Sequence, residues 1–280
     1  MKSTFLPFCL AALCTLFTSQ AVAQHETVEG PKERPKGAVL GFLGGMRIDE
    51  VGLNLGSNTD RYQSMDVDYM RHYTNRTSLT DIDLSGFDSD EALALSVFGT
   101  NIGVELVLSP LRMTRQSNLS QQLRVGFDFV VHREAMVTYT NWATSDALTY
   151  CIIQNEAMLN VSYIFRTNHM GNFSLFFGAG TTLGKTFGNR FIFINDSDVT
   201  YPDEERNFFG NTTDIRGRSS QFGRLYVPFG FDVAIAKTVR LGLEGRYGIG
   251  FENVAGHATH FIRDNVNVQM NLNFILPAAR

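Results

Sequence analysis

Arg47, Glu105, Arg124, Asp128, Glu156, Arg166, Asp232, Glu244 and Arg246 share one trait: each stands among apolar residues spaced two apart. Around Arg124 the chain sets Leu123, Val125, Phe127, Phe129 and Val131 against Arg124, Gly126, Asp128 and His132. Around Glu244 it sets Leu241, Leu243, Tyr247, Ile249 and Phe251 against Arg240, Glu244 and Arg246. A period of two puts the two sets on opposite faces of a β-strand. If the polar faces enclose a space, charges of both signs there must pair, because an unpaired buried charge is costly. Such a network could be a salt-bridged plug, a narrow polar pore or an acid/base site. The plug is the expectation for an interior only wide enough to be filled by side chains.

Other candidates carry less. His132 is expected on the lumenal side or near its rim, and His169 in a turn. His257 and His260 bracket a loop, where solvated imidazoles are expected. Asp81-Ile82-Asp83-Leu84-Ser85-Gly86 starts like a calcium-binding loop, but position twelve is Ala92, with Glu91 one residue early. The bidentate carboxylate is therefore missing, and no metal or other cofactor is expected. Gly178-Ala179-Gly180 and Gly248-Ile249-Gly250 lie inside strand patterns with no helix following, so they read as wall glycines and not as phosphate loops. Cys151 is the one cysteine beyond the N-terminal apolar run. Without an intramolecular partner it reads as an unreactive thiol in the wall or facing lipid.

The elements that position these residues are strands. Arg263 to Leu276 is the clearest: Val266, Val268, Met270, Leu272, Phe274 and Leu276 alternate with Asn265, Asn267, Gln269, Asn271, Asn273 and Ile275. It exceeds the roughly 5–6 residues of an ordinary strand and matches the ~9–11 that a tilted strand needs to cross a bilayer. Similar patterns cover Gly37–Ile48, Gly99–Ser109, Gln121–His132 (running on to Tyr139), Ala147–Arg166, Phe173–Ile194, Gln221–Ala236 and Arg240–Phe251. That makes eight strands. The stretches 49–98 and 195–220 read as long loops, the first with a short helix at Ser89 to Ser96. Short connections follow strands two, four and six. The first strand, Gly37–Ile48, is expected to pair with the last and close the wall, which removes free edges.

Lys2, the apolar run Phe5 to Phe17 and Ala21-Val22-Ala23 read as a cleaved signal peptide over 1–23. Residues 24–36, with Pro31 and Pro35, read as a flexible lead-in, and 37–280 as one barrel domain. No later run is apolar for long enough to be a membrane-crossing helix, so a membrane position requires a closed barrel, where all backbone groups are satisfied internally. The formal net charge of −4 argues against a nucleic-acid partner. Charged residues are 19% of the chain, with 25 Gly and 23 Phe, a balance that suits a barrel wall and its interfacial aromatics. The fold class expected is all-β: an antiparallel eight-stranded transmembrane up-and-down β-barrel.

Through YVPFGFDVAIAKTVRLGLEGRYGIGF (Tyr226 to Phe251) and VNVQMNLNF (Val266 to Phe274), the chain resembles the OmpA-like and related eight-stranded outer-membrane β-barrel family. The resemblance covers about Gly37 to Leu276 and implies a bacterial outer-membrane location, long extracellular loops and short periplasmic turns. The partners it implies are outer-membrane lipid, lipopolysaccharide and the outer-membrane assembly machinery. An extracellular partner for loops 49–98 and 195–220 is a further expectation. Lipid A deacylases, also eight-stranded, use a His and a Ser facing the membrane; GHATHF offers His and Thr but no Ser in that arrangement. A non-enzymatic envelope-structural or surface-binding role is therefore expected first, with a narrow solute channel and a lipid-modifying enzyme as alternatives.

Overall fold

The computed structural model describes residues 39–40, 45–62, 67–89, 96–110, 119–167, 172–197, 199–204, 212–254 and 258–276. Eleven strands follow in chain order: β1 (Val39–Leu40), β2 (Met46–Tyr62), β3 (Asp88–Ser89), β4 (Ser96–Pro110), β5 (Leu119–Asn141), β6 (Asp146–Thr167), β7 (Phe173–Asp196), β8 (Thr212–Arg216), β9 (Ser220–Ala236), β10 (Val239–Val254) and β11 (Ala258–Ile275). The eight long ones, β2, β4, β5, β6, β7, β9, β10 and β11, pair antiparallel in that order, and β11 returns to β2. The wall is closed. β1, β3 and β8 only extend pairing beside β2, β5 and β7.

Following paired residues once around the wall gives Asp60, Asn265, Gly248, Tyr226, Gly180, Ser162, Arg124, Val107 and Glu50. The circuit returns ten residues lower on the same strand, from 60 to 50. Strands with this stagger must tilt, as transmembrane barrels require. Residues at one height therefore shift by ten over eight strands, about one and a quarter residues per strand.

The wall is apolar on its outside. Leu225, Phe229, Val268 and Met270 are about half exposed, alongside Leu53, Ile102, Phe127, Leu159, Phe177 and Leu243. A band of this extent is a surface for lipid, since soluble monomers rarely expose contiguous apolar patches beyond a few hundred Å². The inside is polar: Asn265, Asn267, Gln269, Asn271 and Asn273 are all buried. Among the described residues no helix is long and apolar enough to cross a membrane. The chain is a transmembrane β-barrel that crosses with its strands.

Four expectations need correction. The last strand does not close on Gly37–Ile48: its partners are Glu50 to Tyr62 of β2, and among the described residues upstream of β2 Val39 and Leu40 form a short strand paired with Arg47 and Met46. The stretch 49–98 is not all loop, because Val51, Leu53 and Leu55 alternate with Gly52, Asn54 and Gly56 within β2. Its polar face is glycine and amide, so composition resembled a loop while spacing was that of a strand. The described helix is Val67–Arg71 (α1), with a 3₁₀ turn at Thr77–Leu79. The helix expected at Ser89 to Ser96 has Ser89 and Ser96 in strands, with the residues between outside those described. Finally, β8 lies within the stretch 195–220. The signal peptide, the lead-in, His169 and His257 also lie outside the described residues.

The two ends differ. At one end, Lys237 and Thr238 alone join β9 to β10. At the other, α1 and the segment up to Ser89 fold inward, and β5, β6 and β7 run on for 23, 22 and 24 residues. These are called the turn end and the loop end below. Three bulges divide the wall between them. β5 carries an extra residue at Val131–His132, β7 at Gly188, and β11 at Arg263–Asp264. The bulges in β5 and β11 lie at about the height of Asp60, and that in β7 some three residues nearer the loop end.

Above the bulges the inside becomes apolar. Ala135, Val137 and Tyr139 of β5, Leu148, Tyr150 and Ile152 of β6, and Phe191 and Phe193 of β7 pack with Met70 and Leu79 of the inserted segment. The loop end thus buries an apolar core, as a soluble protein does. The turn-end section does the reverse, with its apolar face to lipid.

Candidate functional site

The site is the barrel lumen. Seven arginines and nine carboxylates are buried among the described residues, and no lysine is. The choice of Arg follows from its planar fork, which can serve several carboxylates and also stack on rings. The groups fall into three tiers.

Nearest the turn end, Arg166 of β6 sits between Glu50 Oε1 and Asp232 Oδ2, each 2.7 Å away. Arg240 pairs with the other oxygen of Asp232 and donates to Ser174 Oγ at 2.7 Å. Arg47 Nε lies 2.5 Å from Asp49.

The middle tier is centred on Glu244. Arg124 Nη1 donates to Glu244 Oε2 at 2.5 Å, and Arg246 Nε donates to Oε1 at 2.6 Å. Asn271 adds a third donor at 3.1 Å. Glu105 is 3.5 Å from Arg124 and 3.7 Å from Arg246, while Asp128 accepts from Asn160 at 2.6 Å and lies 3.4 Å from Arg246. Arg124 also stacks 4.3 Å over Phe176, a cation–π contact. Gly103 makes room: a methyl group there would stand 1.6 Å from Asp128 Oδ1.

The third tier lies at the bulges. Arg133 reaches Glu156 at 3.0 Å, Glu252 at 3.2 Å and Asp60 at 3.3 Å. Arg224 shares two of these, with Asp60 at 2.6 Å and Glu156 at 3.0 Å, and lies 4.1 Å over the Phe222 ring. Glu252 also accepts from Tyr73 Oη at 2.6 Å, from Tyr62 and from Ser220. Through Tyr73 the inserted segment is tied to the charge network below it. Tyr69 Oη lies 2.9 Å from Tyr73 Oη, and the Tyr139 hydroxyl accepts from the Val67 amide at 2.8 Å. Burial away from water raises the pKa of Tyr69 and Tyr73, and the Glu252 charge adds to it.

All nine residues singled out by spacing are buried: Arg166 and Asp232 in the first tier, Glu105, Arg124, Asp128, Glu244 and Arg246 in the second, Glu156 in the third, and Arg47 beside Asp49. Six more charged residues stand at ion-pair distance within the tiers and were not singled out: Glu50, Asp60, Arg133, Arg224, Arg240 and Glu252. Arg224 and Arg240 were legible, since both stand on the polar side of their strands. Glu50 and Asp60 were hidden with β2, and Arg133 by the bulge.

His132 corrects the expectation most sharply. It is on the outside of the wall, at φ +52°, with Nε2 at 3.3 Å from Glu134. His260 is not a solvated loop residue either: its ring lies 4.4 Å from that of Tyr69 and 5.3 Å from that of His72. Cys151 is buried in the wall, its Sγ 3.5 Å from Glu134 Oε1. Asp81 is 3.1 Å from Arg71, and the Ser85 amide donates to Asp83, lowering the Asp83 pKa. Among the described residues no group of three or more His, Cys, Asp or Glu could hold a metal.

The lumen is packed with these buried side chains. One void, bounded in part by Asp128, Arg224, Tyr226 and Arg246, has a volume of about 10 Å³. That is room for one water at most.

No protein-family model matches the chain, and no curated protein sequence does. Solved structures similar to it are outer-membrane barrels. Neisserial surface protein A is 12% identical, with 83% of this chain and 99% of that one covered and a TM-score of 0.37. The outer membrane protein OprG from Pseudomonas aeruginosa is 11% identical, with 83% and 99% covered and a TM-score of 0.37. Ail, the attachment invasion locus protein of Yersinia pestis, in complex with the heparin analogue sucrose octasulfate, is 10% identical, with 81% and 99% covered and a TM-score of 0.32. The architecture stated above rests on the strand pairing itself.

Proposed function

We propose that the chain is an integral outer-membrane protein whose barrel is a sealed, non-catalytic anchor and whose loop end projects outward to bind a partner or stabilise the envelope. The observation that carries this reading is the filled lumen: three tiers of arginine–carboxylate pairs around a void of about 10 Å³. A conducting path would have to break several such contacts at once, and separating one buried pair costs roughly 3–5 kcal/mol. Above the tiers, the aromatic and aliphatic core around Tyr150 and Phe193 closes the loop end. The one network acid that accepts from several hydroxyls among the described residues, Glu252 with Ser220, Tyr62 and Tyr73, is also engaged by Arg133 at 3.2 Å, which holds it as a charged partner in the plug.

The surface offered to a partner is the loop end. β5 and β6 exceed the ~9–11 residues that a crossing needs, so their hairpin stands clear of the membrane. Trp142, the only tryptophan of the chain, is at its tip with 77% of its surface exposed. A bare tryptophan on a rigid hairpin suits a binding anchor.

Two measurements test this. The chain should fractionate with outer membranes and migrate differently on a gel unboiled and boiled; recovery in the soluble fraction overturns the barrel. In planar bilayers it should give no steady conductance, and reproducible unitary steps would replace the plug with a pore.

A further inference from the structure

The outside of the wall carries a cleft of about 530 Å³ across β2, β4 and β5, lined by Ser57, Phe98, Thr100, His132, Glu134 and Met136. That volume is within the range of ligand sites, roughly 300–1,000 Å³. The cleft lies where the wall changes character. Toward the turn end it is continuous with exposed Leu55, Ile102, Val104 and Phe129, part of the lipid-facing band. Toward the loop end the same outer face carries Arg61, which is exposed one alternation beyond the Thr59–Phe98 pair. One end is apolar; at the other, Arg61 stands beyond the cleft's own lining, whose charged groups are His132 and Glu134.

The bulge in β5 shapes this place. An extra residue bends its strand and re-aims a side chain, and bulges recur beside functional sites. The matching bulge in β7 uses Gly188 at φ +63°, where a residue without Cβ is at ease. In β5 the strained position at φ +52° is filled by histidine, held by Asn155 Oδ1, which accepts from the His132 amide at 3.1 Å. A non-glycine residue kept in the left-handed region motivates a functional hypothesis for its surroundings. Glu134, the acid in the cleft, is engaged with His132 at 3.3 Å and with the Cys151 thiol at 3.5 Å. Arg61 stands opposite Asp264 across the β2–β11 pair.

We propose that this cleft is a fixed site for one anionic phospholipid, its phosphate against Arg61 and His132 with the Ser57 and Thr100 hydroxyls beside it, and an acyl chain along Phe98, Ile102 and Val104. The inference rests on the reading of the wall as membrane-embedded. A phosphate at the water–lipid boundary and a chain directed toward the turn end match the cation above and the apolar strip below. The chemistry is binding alone, with no bond made or broken.

The test uses the chain purified from membranes, stripped of lipid in detergent and examined by native mass spectrometry with added phosphatidylglycerol or phosphatidylcholine. One phosphatidylglycerol should be retained at detergent concentrations that remove phosphatidylcholine. Retention should fall about tenfold or more in the pair Arg61→Ala with His132→Gly, a change that relieves the backbone strain and so leaves the fold intact. Thr100→Phe, which fills the cleft, should have the same effect. Equal retention of the two lipids, or retention unchanged in all variants, overturns the site. Gel mobility of the same samples, unboiled against boiled, separates the two failures: a heat-modifiable barrel that keeps no lipid loses only the site. A chain without that behaviour loses the barrel, and the site with it.

Discussion

His132 and Arg133 are consecutive in the chain and stand on opposite sides of the wall: the first side chain is 68% exposed, the second 1%. Strict alternation would have put His132 inside beside Asp128 and Arg133 outside. The extra residue in β5 exchanges them, and the guanidinium then reaches Asp60, Glu156 and Glu252. The pair should therefore respond very differently to the same change. Arg133→Ala leaves buried carboxylates short of a partner and is expected to lower stability by roughly 3–5 kcal/mol. His132→Ala, on the exposed side, should stay within about 0.5 kcal/mol. Urea unfolding of the two variants in lipid vesicles decides it, and equal losses would place both residues on one face.

Glu244 holds the middle tier, accepting from Arg124 and Arg246 at 2.5 and 2.6 Å. Glu244→Gln keeps the shape and removes the charge. The expected loss is again roughly 3–5 kcal/mol, since two arginines remain in a space with little water. The variant should still close its wall and still migrate as a barrel. A wild-type unfolding midpoint would mean that the tier is not held by this carboxylate.

Val268 and Gln269 test the orientation of the wall. Val268 is about half exposed to the outside, and Gln269 is 1% exposed inside. Val268→Arg should cost roughly 2–4 kcal/mol in a bilayer, as a cation near the midplane of a lipid-facing wall does. The same variant should be better tolerated in detergent than in vesicles. No difference between the two media would remove Val268 from the lipid face.

Gly188 bends β7 at φ +63°. Gly188→Ala forces a Cβ into the left-handed region and is expected to cost roughly 1–2 kcal/mol. Because the bulge sets which face of β7 points inward above it, local protection of Phe191 and Phe193 should fall first. Hydrogen exchange of their amides reads this, and unchanged rates would mean that the bulge is not needed.

The loop-end segment should loosen in alkali. The Tyr69 and Tyr73 hydroxyls have their pKa raised, first by burial and then by the Glu252 charge. A raised folded-state pKa means that the neutral form is favoured in the native state. That contribution is complete below the ordinary tyrosine value of about 10 and is lost as pH rises through the folded-state pKa. Protease cutting within 67–89 should therefore begin only above about pH 10, together with tyrosinate absorbance. Tyrosinate appearing at the ordinary value with the segment still protected would contradict the coupling.

Much of this barrel was legible in the sequence, because a strand that separates lipid from a filled lumen must alternate and a tilted one must be long. Val266 to Phe274 could have no other period, and Lys237-Thr238 leaves room only for a tight turn. The side that each of the nine spaced charges faces followed from the same alternation. β2 was lost because its inward residues, Gly52, Asn54, Gly56 and Asn58, are small or amide and so look like loop.

What only the tertiary structure decided are the partners and the places where alternation breaks. That β11 closes on Glu50–Tyr62 depends on which strand edge lies nearest once the sheet has curled, and no local pattern encodes it. Which carboxylates each arginine serves depends on the ten-residue stagger, which brings Arg224 beside Asp60 although 164 residues separate them. The bulge at Val131–His132 is also a tertiary choice. It lets β5 stay paired to β4 and β6 while its apolar residues turn from lipid below to core above, and one added residue changes the face of every side chain beyond it.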